Sequence, residues 1–338
     1  MTPRREVEAK NMKRNSCSKS LGRIDVCVEE ALNRREFLKR QLLGACFFAA
    51  GAAGLYLPKR LFASPVPDIG IAKGKPGSAT RAAMDLIGGM RTFVKPGAKV
   101  VIKPNLSFPQ GPEAATTTHP LVTREIVAMC LEAGASRIRV LDHPAEDSVR
   151  AETSITRTRE ALKVFEKDIV FGLTKKDFYR ATPIVGGLKF KETDVMRDVL
   201  EADVLIAAPV AKSHSMTGVS LAMKGMMGLI WNRETMHRDY QLDEAIVDLC
   251  ALLKADLTVI DATRVLSTGG PRGPGQVLRT NTVIASRDMV AADAKTVEMF
   301  EWYSQRFEPR QLEHIRLAHE RGLGRMDVQN LRVQQIEA

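Results

Sequence analysis

The chain has 338 residues, a length that suits one large domain or two lobes around a sizeable core. Its composition, 44% apolar and 27% charged, is that of an ordinary globular protein. The formal charge of +10 argues against nucleic acid as a partner once it is located. Residues 1–64 carry 13 Lys/Arg against 6 Asp/Glu, whereas the rest carries 37 against 34 and has no basic stripe with interleaved aromatics.

The N-terminal charge belongs to a leader. Arg34 and Arg35 precede Phe37 and Leu38. An uncharged apolar stretch follows from Gln41 to Leu57, then Lys59–Arg60 and the small pair Ala63–Ser64. The pattern resembles a twin-arginine export signal, with Asn33 where Ser or Thr is usual. It implies a folded protein handed to the twin-arginine translocase and released to a periplasm. The 17-residue stretch is short for a spanning helix, so cleavage after Ala63 is the expected outcome and a retained anchor the alternative. Beyond this signal region, residues 65–80 read as a Pro/Gly/Lys-rich linker, and 81–338 as the functional domain.

Five cysteines fall to two, Cys130 and Cys250, once the leader is set aside. Both sit in apolar helical patterns and read as buried thiols, with a single disulfide as the other option. No CxxC occurs, so the chain has no motif for an iron–sulfur cluster of its own.

"ATRAAMDLIGGMRTFV" has helical spacing. "GAKVVIKPNL" reads as a strand after a Pro-Gly turn. "THPLVTREIVAMCLEAGA" is a helix with Thr118 or His119 as N-cap, Pro120 in the first turn and Gly134 as the stop. "SRIRVLDH" is a strand. Residues 144–200 read as a smaller mixed insertion with a hairpin in "KKDFYRATPIVGGLKF". "ADVLIAAPV" is a strand, and "TGVSLAMKGMMGLI", apolar all round, reads as a buried helix. A helix ("QLDEAIVDLCALLKA"), a strand ("DLTVIDAT"), a loop ("TGGPRGPG"), a strand ("NTVIASRD") and a helix ("MVAADAKTVEMFEWY") follow. A terminal helix near 309–321 places His314 and His319 on the surface. Strands alternating with helices predict an α/β fold with a mostly parallel sheet covered on both faces.

Polar residues recur where these strands end: Lys103 and Asn105, then Asp142, then Lys212 and His214, then Asp261. Ligands of open α/β sheets bind beyond the carboxyl ends of the strands, so these side chains are expected to share one rim. Thr117 and Thr118 open a helix whose free N–H groups suit an anion, and simple capping uses the same residues. Arg272 could clasp a phosphate or carboxylate. Asp293, on an apolar helix face, needs a partner, with Lys103 or Lys212 as the candidates. His214, His237 and Asp261 compose an N,N,O set suited to a single divalent metal. Lys224 lies in the Met-rich segment and must snorkel or face a polar cleft.

The ordered phrases "VIKPNLSFP", "EAGASRIRVLD", "PVAKSHSMTGVSLAMKGMMGLI", "MHRDYQLDEAIVDL", "LTVIDAT", "GGPRGPG" and "SRDMVAADA" resemble domain-of-unknown-function family 362 over roughly residues 95–300. The resemblance singles out Lys103, Pro104, Asn105, Lys212, His214, Lys224, Asp288 and Asp293. It implies an architecture rather than a reaction. Many members carry a ferredoxin-like segment that this chain lacks. Two functions follow. One is an enzyme acting on a small anionic substrate, with Lys103 and Lys212 holding the anion and Lys224, His214 and Asp261 supplying base or metal chemistry. The other is a non-catalytic periplasmic ligand-binding or redox-accessory protein beside an iron–sulfur partner.

Overall fold

The stretch expected to be a linker is structured. In the computed structural model, which describes residues 66–144 and 148–338, Ile69–Lys73 forms strand β1. Pro76, at a helix start where a missing N–H costs nothing, opens α1 (Pro76–Leu86). Gly70 lets α1 press close, because a Cβ there would lie 2.4 Å from the Ala83 carbonyl. The predicted leader over 1–64 lies outside the described residues.

Strand β2 (Lys99–Pro104) leads to α2 (Pro120–Glu132), whose N-cap is His119; its Nδ1 accepts from the Leu121 N–H at 3.0 Å. Strand β3 (Arg137–Asp142) follows. The 144–200 stretch then divides. It supplies α3 (Ser148–Leu162) and an edge strand β4 (Val170–Gly172) to the main sheet, while β5 (Tyr179–Pro183) and β6 (Glu192–Met196) form the expected hairpin as a separate antiparallel pair. Asp248 pins the loop of that hairpin by accepting from the N–H groups of Leu188, Lys189 and Phe190.

One turn of helix, α4 (Arg197–Leu200), precedes β7 (Val204–Ala208) and β8 (Val210–His214). The Met-rich segment is not one helix. It is a short strand, β9 (Gly218–Ser220), then one turn of α5 (Ala222–Gly225), then a 3-10 turn over Met226–Leu229. Gly218, Gly225 and Gly228 interrupt the run, and glycine weakens a helix interior. Two helices, α6 (Arg233–Asp239) and α7 (Leu242–Leu252), lead to β10 (Leu257–Leu266), β11 (Val277–Ser286), α8 (Met289–Met299), α9 (Glu313–Glu320) and β12 (Val333–Glu337).

The main sheet runs β12-β1-β11-β10-β7-β2-β3-β4, with β8 and β9 branching from β10. From β10 to β4 all neighbours are parallel; β11 is antiparallel to both β1 and β10. Adjacent residues enter opposite cores: Val100 and Ile102 pack with α1 and α2, Val101 with the Met-rich segment and α7. Both faces are therefore covered, as the continuous apolar strands require. Cys130 and Cys250 are buried free thiols, one in each core. Among the described residues no helix is long and apolar enough to cross a membrane.

Candidate functional site

Parallel strands β2, β3 and the β7–β8 segment deliver their last residues to the same side of the sheet. A cleft of about 240 Å³ opens there, lined by Lys103, Asn105, Asp142, Lys212, His214, Lys224 and Arg272, all expected from the sequence. Ser107, Phe108, Arg233, Glu234 and His237 also line it. Among the described residues, five Lys/Arg side chains and two carboxylates line it, so this lining is cationic.

The cations differ in how they are satisfied. Lys103 Nζ forms an ion pair with Asp142 Oδ1 at 3.1 Å and donates to its neighbour's carbonyl at Pro104. Burial still depresses its pKa, with Asp142 opposing. Asp142 Oδ2 accepts from the Leu106 N–H at 2.7 Å and the Ser107 hydroxyl at 3.0 Å. Arg233 donates to the carbonyls of His143 and Pro144. Lys212 is 2% exposed and donates to the Thr116 carbonyl at 2.6 Å, with its ammonium 4.9 Å from the centre of the Phe108 ring. Among the described residues it has no carboxylate in salt-bridge range. Burial and then repulsion from Lys103 hold its pKa down at about 7. Lys224, on α5, is held down to about 8 by burial and the charge of Arg233. It faces the cleft, as a Lys inside an apolar segment must.

Two histidines present opposite tautomers. His214 Nδ1 accepts from the Met216 N–H at 3.2 Å, so its neutral ring carries the proton on Nε2. Burial, then Lys224, pushes its pKa down to about 3. His237 Nδ1 lies 3.1 Å from the Arg233 carbonyl, an acceptor, so that nitrogen carries the proton and Nε2 is bare. Burial, then Lys224, lowers its pKa as well. The two ring centres are 6.4 Å apart.

Other expected residues do not face the cleft. Strand β10 continues five residues beyond Asp261, which is buried in mid-strand rather than at its end. Its carboxylate accepts from the His119 N–H at 2.7 Å and from the Thr263 N–H and hydroxyl. It therefore does not join His214 and His237. Among the described residues no group of three or more His, Cys, Asp or Glu is placed to hold a metal ion. Thr117 and Thr118 are buried. Thr118 Oγ1 accepts from the Asn105 N–H and donates to the Ala208 carbonyl, and Asn105 Oδ1 accepts from the Val210 N–H, so both tie β2 to the β7–β8 junction. Asp293 meets neither Lys103 nor Lys212. It accepts from the N–H groups of Ala222 and Met223 at 2.8 and 2.9 Å, anchoring α5, while burial raises its pKa to about 7. Asp288 caps α8 through Val290 and Ala291. His314 is buried, its Nδ1 2.7 Å from Asp243 Oδ1, not a surface residue.

The residues missed from the sequence had weak signals. Arg233 lies four residues before His237, the spacing that places two side chains on one helix face, and α6 runs Arg233–Asp239. Phe108 follows the Lys103–Asn105 strand end in a loop that no periodicity marks.

Comparison with known proteins adds three findings. A family model described as "Domain of unknown function (DUF362)" matches residues 100–298. A thylakoid-associated protein of Synechocystis is 25% identical over 223 residues, covering 64% of this chain and 67% of its own length. The lactate racemase apoprotein of Thermoanaerobacterium thermosaccharolyticum aligns at 13% identity with a TM-score of 0.42. That alignment covers 70% of this chain and 58% of the racemase chain.

Proposed function

We infer that this chain, which belongs to the family described as Domain of unknown function (DUF362), is an enzyme that binds a small anionic substrate in the strand-end cleft and moves protons there. One observation carries the reading. Lys212 is buried in the cleft wall with a carbonyl and an aromatic face as neighbours and, among the described residues, no carboxylate paired to it. A buried charge is costly unless paired, and an anionic ligand would pair it. Lys224 and Arg272 add positive charge around the same space. A low-dielectric cleft with a cationic lining also concentrates anionic ligands.

The histidines supply the proton chemistry. His237 Nε2, bare and in the cleft wall, is the general base. His214, neutral across the working pH range, offers its Nε2–H to a substrate oxygen on which negative charge develops. Lys103 and Asp142 form the floor. Asp261 has no part in the reaction. Export through the twin-arginine route rests on the Arg34–Arg35 leader pattern alone.

Thermal-shift measurements with inorganic phosphate, sulfate and small mono- and dicarboxylates test the binding reading. Stabilisation by members of this panel, abolished in Lys212→Met, is expected. A panel that leaves the melting temperature unmoved, or stabilises the variant equally, would refute it.

A further inference from the structure

Of the cleft cations, Lys103 has Asp142 at 3.1 Å and Arg233 has two backbone carbonyls. Lys212 is placed differently. The Thr116 carbonyl, 2.6 Å away, takes one N–H and fixes the direction of the amine. Phe108 covers a side with its ring, and two further ammonium groups, Lys103 and Lys224, act on it electrostatically. Desolvation beside other cations is the arrangement that leaves a lysine amine with its lone pair free for attack on a carbonyl.

We propose that Lys212 captures the carbonyl carbon of a small oxo acid as an imine, the acid's carboxylate being held by Lys224 and Arg272. This rests on the anion-binding reading above and names the substrate class of the same site. The lysine nitrogen adds to the carbonyl carbon, forming a C–N bond and a carbinolamine. The former carbonyl oxygen then leaves as water, carrying away the two protons that began on the amine. The cleft holds groups suited to both movements. The Nε2–H of His214 can polarise the carbonyl oxygen, and the bare Nε2 of His237 can accept the proton shed by nitrogen and return it to the departing oxygen. A depressed amine pKa of about 7 is consistent with this role. The Lys103 amine is engaged by Asp142 and by the Pro104 carbonyl, which leaves Lys212 as the nucleophile.

The test is reductive trapping. The full chain is incubated with pyruvate or glyoxylate, reduced with cyanoborohydride and mapped by peptide mass spectrometry. The expected result is one adduct, at Lys212. Exposed Lys163 should remain unlabelled, and excess phosphate should suppress the adduct. Lys212→Arg should lose it; if that variant does not fold, the wild-type peptide map decides alone. Absence of an adduct, an adduct at Lys224 instead, or labelling spread over exposed lysines would overturn the proposal. Phosphate stabilisation without trapping would sink the imine and leave the anion site standing. Loss of both would sink the two together.

Discussion

Lys103 and Asp142 meet at 3.1 Å from neighbouring strands, and the pair fits because residue 228 has no side chain. A Cβ on Gly228 would lie 2.2 Å from Asp142 Oδ1 and 2.4 Å from Lys103 Cε. The glycine of the Met-rich segment thus lets that segment lie directly on the ion pair that floors the cleft. Gly228→Ala is expected to destabilise the protein by about 1–3 kcal/mol through overpacking. Asp142→Asn, which strips a buried ammonium of its counter-charge, should cost about 3–5 kcal/mol. Urea denaturation of the two variants measures both. Equal stability to wild type in either would mean that the pair is not sealed as described.

The pH dependence of Lys212 has a definite sign. Its folded-state pKa, about 7, lies below the ordinary lysine value of 10.5. Between those values the unfolded chain binds more protons than the folded one, so this group's contribution to stability rises with pH across the window. Below about 7 the full penalty of the buried charge is present. Lys212→Met should therefore stabilise the ligand-free protein by roughly 1–3 kcal/mol at pH 6. The advantage should shrink toward pH 10. Melting temperatures of the two proteins across this range decide it, and a gap that is flat with pH would contradict the burial argument.

Asp293 acts on the cleft through α5. Its carboxylate holds the Ala222 and Met223 N–H groups at the start of the turn that carries Lys224. Asp293→Ala leaves two buried donors unsatisfied and should cost roughly 1–3 kcal/mol for each. The same variant should weaken phosphate binding, because Lys224 loses its support. Calorimetric titration beside a stability curve separates the effects; unchanged affinity would show that α5 needs no such anchor.

Asp261 gives the opposite forecast. Its carboxylate is turned to His119 and Thr263, away from the cleft lining. Asp261→Ala should lower stability by roughly 1–3 kcal/mol. Phosphate affinity and bound metal content should both stay at wild-type levels. Metal analysis and calorimetry check this, and a loss of affinity would restore Asp261 to the site.

The α/β class and the strand-end clustering of Lys103, Asn105, Asp142, Lys212 and His214 were legible because apolar runs mark strands and polar residues mark their ends. The same rule misplaced Asp261. Strand β10 carries on through polar residues, and pairing with β8 and β11, which sequence cannot display, keeps it extended. Composition made residues 65–80 look like a linker, yet the apolar alternation of Ile69 and Ile71 is enough to build β1 once β11 and β12 flank it. An apolar run suggested a helix over the methionines, where glycines and pairing with β8 won. His314 looked exposed on a polar terminal helix, and its carboxylate partner Asp243 is 71 residues away in sequence.

The most direct test of the anion site is calorimetric titration with inorganic phosphate at low ionic strength, comparing wild type with Lys212→Met. Wild type should bind at a single site, and the variant should bind at least about tenfold more weakly, a loss of about 1.4 kcal/mol. Matching isotherms for the two proteins, or no heat of binding from wild type, would contradict it.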